Sequence, residues 1–125
     1  HWLLTLVAKL PLGFLQGFGA CIGELVFLAF PGYRRRTRDN LRHAGYNEAK
    51  FFTKVGRNAG RQSMESIWVW YRPTKAVLSR VKISPQAEHI IGSAMTSGRP
   101  IVFLTPHVGC FEILPVWLAG THYEK

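Results

Sequence analysis

Between Leu12 and Phe30 the chain runs for 19 residues, LGFLQGFGACIGELVFLAF, in which Gln16 and Glu24 are the only strongly polar side chains. Whatever the rest does, the fold must cover this segment with protein or place it in lipid. At about 1.5 Å per residue it nearly crosses the roughly 30 Å hydrocarbon core of a bilayer. Glu24 falls near its middle, where an ionised group costs about 2.5–3.5 kcal/mol on insertion scales. Pro11 and four glycines weaken an isolated helix further. The segment therefore reads as a membrane-associated helix, either dipping into one leaflet or anchoring weakly. Gly13/Gly17 and Gly19/Gly23 form two small-xxx-small pairs able to meet another helix.

Pro31-Gly32 closes the segment against YRRRTRDNLRHAGY, which crowds Arg34, Arg35, Arg36, Arg38 and Arg42 beside it. The whole chain carries 16 Lys+Arg against 7 Asp+Glu, a net charge of +9, and 13 of those basic residues lie between positions 34 and 82. An apolar segment feeding directly into a basic one is the pattern of an anchor meeting anionic headgroups on the cytoplasmic side, where each basic residue adds about 1 kcal/mol of attraction. Nucleic acid is a poor fit, because neither a glycine-aromatic ribonucleoprotein motif nor zinc-finger spacing is present. Cys21 and Cys110 lie 89 positions apart and outside any CxxC pair, so no disulfide framework is expected and a reducing compartment fits best. With 125 residues there is room for one small domain. The expected division is a membrane-associated helix over 1–31 and a domain over 32–125.

Asn47 caps an expected packing helix over 48–70, with Phe52, Val55, Ala59, Ser66 and Trp70 on one stripe. Val81-Lys82-Ile83 reads as a short strand, and Ser84-Pro85 as the cap and first position of a helix over 86–97 that Gly98 stops. Ile101-Val102-Phe103-Leu104 is a continuous apolar run of the kind a buried parallel strand carries. Strand, helix and strand together predict an α/β fold, a partial mixed or parallel sheet flanked by helices, with its site beyond the carboxyl end of the second strand.

Thr105-Pro106-His107 occupies that position, and Glu112 follows five residues after the histidine. On one continuous helix five residues turn about 500°, leaving the side chains about 140° apart. They meet if His107 sits on the strand exit, Gly109 makes a sharp turn and a helix starts nearby. An imidazole held by a carboxylate is a general base, able to take a proton from a hydroxyl. No serine sits in a nucleophile elbow, but a pair that activates the acceptor's own hydroxyl needs no enzyme nucleophile, which fits transfer from an already activated thioester. By spacing alone the pair reads more readily as two unrelated residues. His107, Cys110 and Glu112 make a poor metal set, lacking a fourth ligand, so neither a metal nor a cofactor is expected.

The block GRPIVFLTPHVGCFEI, preceded by VKIS and a helix, resembles the HX4E motif region of the lipid A biosynthesis acyltransferases, the lauroyl/myristoyl transferase family of the lysophospholipid acyltransferase-like superfamily. The apolar anchor, the basic stretch with Asn40-Leu41, and a helix holding Glu65 and Trp68 agree in order. This resemblance implies an enzyme at the cytoplasmic face of the bacterial inner membrane. It would move a fatty acyl chain from acyl-acyl carrier protein to a hydroxyl of a Kdo-lipid A precursor. His107 would be the base and Glu112 its partner, with Arg34, Arg35, Arg36 and Gly109 contacting substrate or lipid. Intact members are longer, so the chain reads as an N-terminal part that would lack independent activity. The competing readings are another glycolipid or phosphatidylinositol mannoside acyltransferase, and a basic membrane-binding module without catalysis.

Overall fold

The apolar segment forms a single helix, α2 (Leu12–Ala29), in the computed structural model, which describes residues 2–106 and 108–123. The chain divides into two units, His1–Arg72 and Pro73–Lys125. In the first, α1 (Trp2–Ala8), α2 and α3 (Pro31–His43) all pack on the long helix α4 (Ala49–Tyr71). Leu15, Ala20, Phe27, Phe52, Trp68 and Val69 are buried at the centre, as is Ala8 at the end of α1. Phe30, in an extended conformation, ends α2, and Pro31 starts α3 at a position where its missing N–H is no loss. Gly45, at φ +84, closes α3: the N–H of Tyr46 donates to Leu41 O at 2.8 Å and that of Gly45 to Arg42 O at 3.0 Å. This double closure satisfies carbonyls that would otherwise be unpaired.

The α2–α4 contact is made by glycines. Gly19 and Gly23 on α2 face Gly56 and Gly60 on α4 so closely that a Cβ at Gly60 would fall on the Gly19 carbonyl, and one at Gly23 on the Gly56 carbonyl. Only residues without side chains permit this approach. The two polar side chains of the apolar segment also point to α4. Gln16 donates to Glu65 Oε1 at 2.7 Å, and Glu24 pairs with Arg57. At the far end Arg72 donates to the Lys9 carbonyl at 3.0 Å while lying 5.5 Å over the Trp68 ring, fastening the end of α1 to that of α4.

The second unit holds α5 (Thr74–Leu78), α6 (Pro85–Thr96), α7 (Ile113–Leu118) and a π-helical turn, Ala119–Tyr123. Gly120 lets this turn close against Leu78 and Thr74. Ser84 caps α6, accepting the Ala87 N–H at 3.2 Å, with Pro85 at the first helical position and Gly98 at φ +68 beyond the end. Ser84→Ala is expected to destabilise α6 by about 1 kcal/mol. Hydrogen exchange of the α6 amides would then quicken about five-fold, with no change in α2.

The expected sheet is absent: among the described residues there is no strand, and the α/β reading is corrected to an all-helical one. Residues 81–83 and 101–104 lack regular structure and have no strand beside them. A strand is defined by the ladder it forms with a neighbour, whereas an apolar run reports only a local tendency. Val102 and Leu104 are 82% and 91% exposed, so the run is not buried on two faces as a parallel strand would be.

Candidate functional site

The chemistry-bearing block lies between the unstructured apolar run and α7. Thr105 and Pro106 lack regular structure and are exposed, and His107 lies outside the described residues. The Val108 N–H donates to Pro106 O at 2.7 Å. Gly109 takes φ +63, in the left-handed region glycine enters at least cost. A short turn follows, with Phe111 N–H donating to Gly109 O at 3.1 Å and Ile113 N–H to Cys110 O at 3.2 Å. Glu112 is the residue before α7 and is half-buried. Pro115 is the third residue of α7, inside the first turn, where helical N–H groups have no partner within the helix. The helix therefore begins at Ile113, several residues later than the spacing argument placed it. Gly109 and Glu112 share one turn, and the relation of Glu112 to His107 falls outside what is described.

Directly after Glu112, Ile113, Leu114 and Trp117 line an open cavity of about 340 Å³ with Val81, Lys82, Ile83, Ser84, Ala87 and Ile91. Among the described residues, Lys82 is its one charged side chain. Sequence reading missed this cavity because its walls come from two separated stretches, 81–91 and 113–117, and residues 81–83 carried only a strand signal. Trp117 is buried, edge-on to His122 at 5.3 Å, and Thr121 donates to its carbonyl at 2.7 Å. No group of three or more metal-ligating side chains is found among the described residues.

The arginine cluster of residues 34–42 is on α3, in the first unit. Arg34 donates to the Leu28 carbonyl at 2.9 Å in the last turn of α2, a favourable place for a cation because of the partial negative charge there. Arg38 lies 5.5 Å over the Phe52 ring. Arg35 and Arg36 are exposed. The arginines therefore differ in role, with Arg34 closing a helix and Arg35 and Arg36 facing outward. Replacing Arg35 and Arg36 by Gln is expected to weaken binding to anionic vesicles about twenty- to thirty-fold at low salt, from about 1 kcal/mol per residue. In 1 M salt the difference should vanish. Vesicle flotation across a salt series measures it.

Comparison with protein-family models matches the chain over residues 1–125 to the family described as bacterial lipid A biosynthesis acyltransferase. Comparison with curated proteins and with solved structures gives no match.

Proposed function

The chain belongs to the bacterial lipid A biosynthesis acyltransferases, and from that premise we propose that it moves a fatty acyl chain from acyl-acyl carrier protein to a hydroxyl of a Kdo-lipid A precursor. The family fixes the general chemistry as acyl transfer in lipid A biosynthesis. The observation that supports the finer reading is His-Val-Gly-Cys-Phe-Glu, residues 107–112, standing where the family match continues unbroken.

In this reading His107 takes the proton of the acceptor hydroxyl as its oxygen attacks the thioester carbonyl. The tetrahedral oxyanion collapses, the C–S bond breaks, and the carrier thiolate leaves with the proton from the imidazolium. Glu112 holds the imidazole in the tautomer that leaves its other nitrogen free to accept. Gly109, at φ +63, supplies a turn between the two positions in sequence. The reaction needs no metal, no cofactor and no enzyme nucleophile, because the donor arrives activated. Enzyme, anionic membrane and acidic carrier protein share one electrostatic logic with the basic stretch over 34–82. The reading places the enzyme on the cytoplasmic face of the inner membrane.

Incubating the protein that carries this chain with acyl-acyl carrier proteins of several chain lengths and a panel of acceptors tests the assignment. The Kdo-lipid A precursor should gain one acyl chain by mass spectrometry. Acylation of a phosphatidylinositol mannoside or another glycolipid instead would replace the acceptor and keep the chemistry.

A further inference from the structure

Among the described residues α2 is the one helix long and apolar enough to cross a bilayer. It does not stand alone, however. α4 lies antiparallel along it, with Gly19 and Gly23 against Gly60 and Gly56, Gln16 bonded to Glu65, and Glu24 paired with Arg57. The stretch of α4 beside α2 carries Lys54, Arg57 and Arg61, with Lys54 and Asn58 exposed. An upright α2 would draw these groups into hydrocarbon at several depths, the least favourable place for an ionised side chain. α4 is amphipathic rather than apolar all round, so it has no means of shielding them there.

The other face of α2 is free of charge. Phe14, Phe18, Cys21, Leu25 and Leu28 fall within an arc of about 80° at 100° per residue. Phe14, Phe18, Leu25 and Leu28 are each 50% exposed or more. Phe14 and Phe18 stack with ring centroids 6.4 Å apart. Immediately after the end of α2, Arg35 and Arg36 stand exposed on α3, so an apolar strip and an outward cationic pair adjoin within one unit.

We propose that α2 does not span the membrane but lies along it, with the Phe14–Phe18–Leu25–Leu28 face sunk into one anionic leaflet and α4 on the water side. Amphipathic helices bind interfaces in this way, through buried apolar area combined with attraction to anionic headgroups. Gln16 and Glu24 then need no polar partner in lipid, since α4 supplies it. The inference rests on the membrane-enzyme reading for the presence of a bilayer, and on the α2–α4 contacts for the orientation.

Three single-cysteine variants of the full protein test it: Phe14→Cys, the native Cys21, and Leu28→Cys. Each carries an environment-sensitive fluorophore, in phosphatidylethanolamine/phosphatidylglycerol vesicles containing spin-labelled lipids at shallow or deep acyl positions. In-plane binding predicts that all three labels are quenched most by the shallow spin label and to the same degree. A spanning helix would put the Cys21 label at the bilayer centre, quenched most by the deep spin label, with the Phe14 and Leu28 labels shallow in opposite leaflets. That result overturns the in-plane orientation and leaves acyl transfer untouched. Failure of the protein to float with anionic vesicles at low salt overturns both the orientation and the membrane-enzyme reading.

Discussion

Gly60→Leu separates α2 from α4. A Cβ at this position would meet the Gly19 backbone carbonyl, with Gly23 Cα 2.9 Å away, so the clash is with main chain and no side-chain rotation relieves it. The expected cost is about 3 kcal/mol, the upper part of the overpacking range. Read by hydrogen exchange, the amides of α2 and α4 should exchange about a hundred-fold faster while those of α6 are unchanged. Gly17→Ala is the control, on the same helix and with nothing within 4 Å of the new methyl. There the helical preference of alanine over glycine should stabilise α2 by about 0.5–1 kcal/mol. The same kind of substitution thus acts with opposite sign four residues or fewer from the crossing. If both changes slowed or both hastened exchange, the glycine contact would not be what holds the pair together.

His107→Ala is expected to lower turnover about 10²–10⁴-fold, the range a positioned general base contributes. Glu112→Gln should act in the same direction, up to about 10⁴-fold, because an amide can favour the wrong imidazole tautomer. Combining the two should cost no more than His107→Ala alone, since both variants disable one device. Independent, multiplying losses would mean that Glu112 works on substrate directly.

Much of the helical fold was legible in the sequence, and for local reasons. Ser84, Pro85 and Gly98 mark the ends of α6 through backbone rules that operate within four residues, and the structure has its helix there. The apolar length of α2 was likewise visible, and so was the Gly19/Gly23 pair. What the sequence hid was the partner of that pair. A search for stripes of bulky residues on α4 favours Phe52, Val55, Ala59, Ser66 and Trp70; Phe52 is buried, but the other buried positions are Gly56, Trp68 and Val69, and Trp70 is 56% exposed. A glycine face is silent in hydrophobic periodicity because its contribution is the absence of a side chain. The sheet failed for a different reason. Apolar runs at 81–83 and 101–104 satisfied a local pattern, while pairing is a property of two segments and no local pattern tests it. At the candidate site, the left-handed turn at Gly109 follows from glycine chemistry, whereas the helix after it starts only at Ile113, past Glu112 and later than the spacing argument placed it. Nor was the cavity beside α7 legible, because Lys82, Ile91 and Trp117 are brought together only by folding.

The acceptor basis of the reaction is open to one direct measurement, transfer of labelled acyl groups from acyl-acyl carrier protein to a Kdo-lipid A precursor, run on the full protein beside its His107→Ala variant with precursor binding measured in parallel. Acylated precursor from the unaltered protein, and its loss in the variant with binding retained, is the predicted outcome. No acylated precursor from the unaltered protein, across several acyl lengths, would contradict the account. It would leave another acceptor lipid, or a basic membrane-binding module, as what this chain provides.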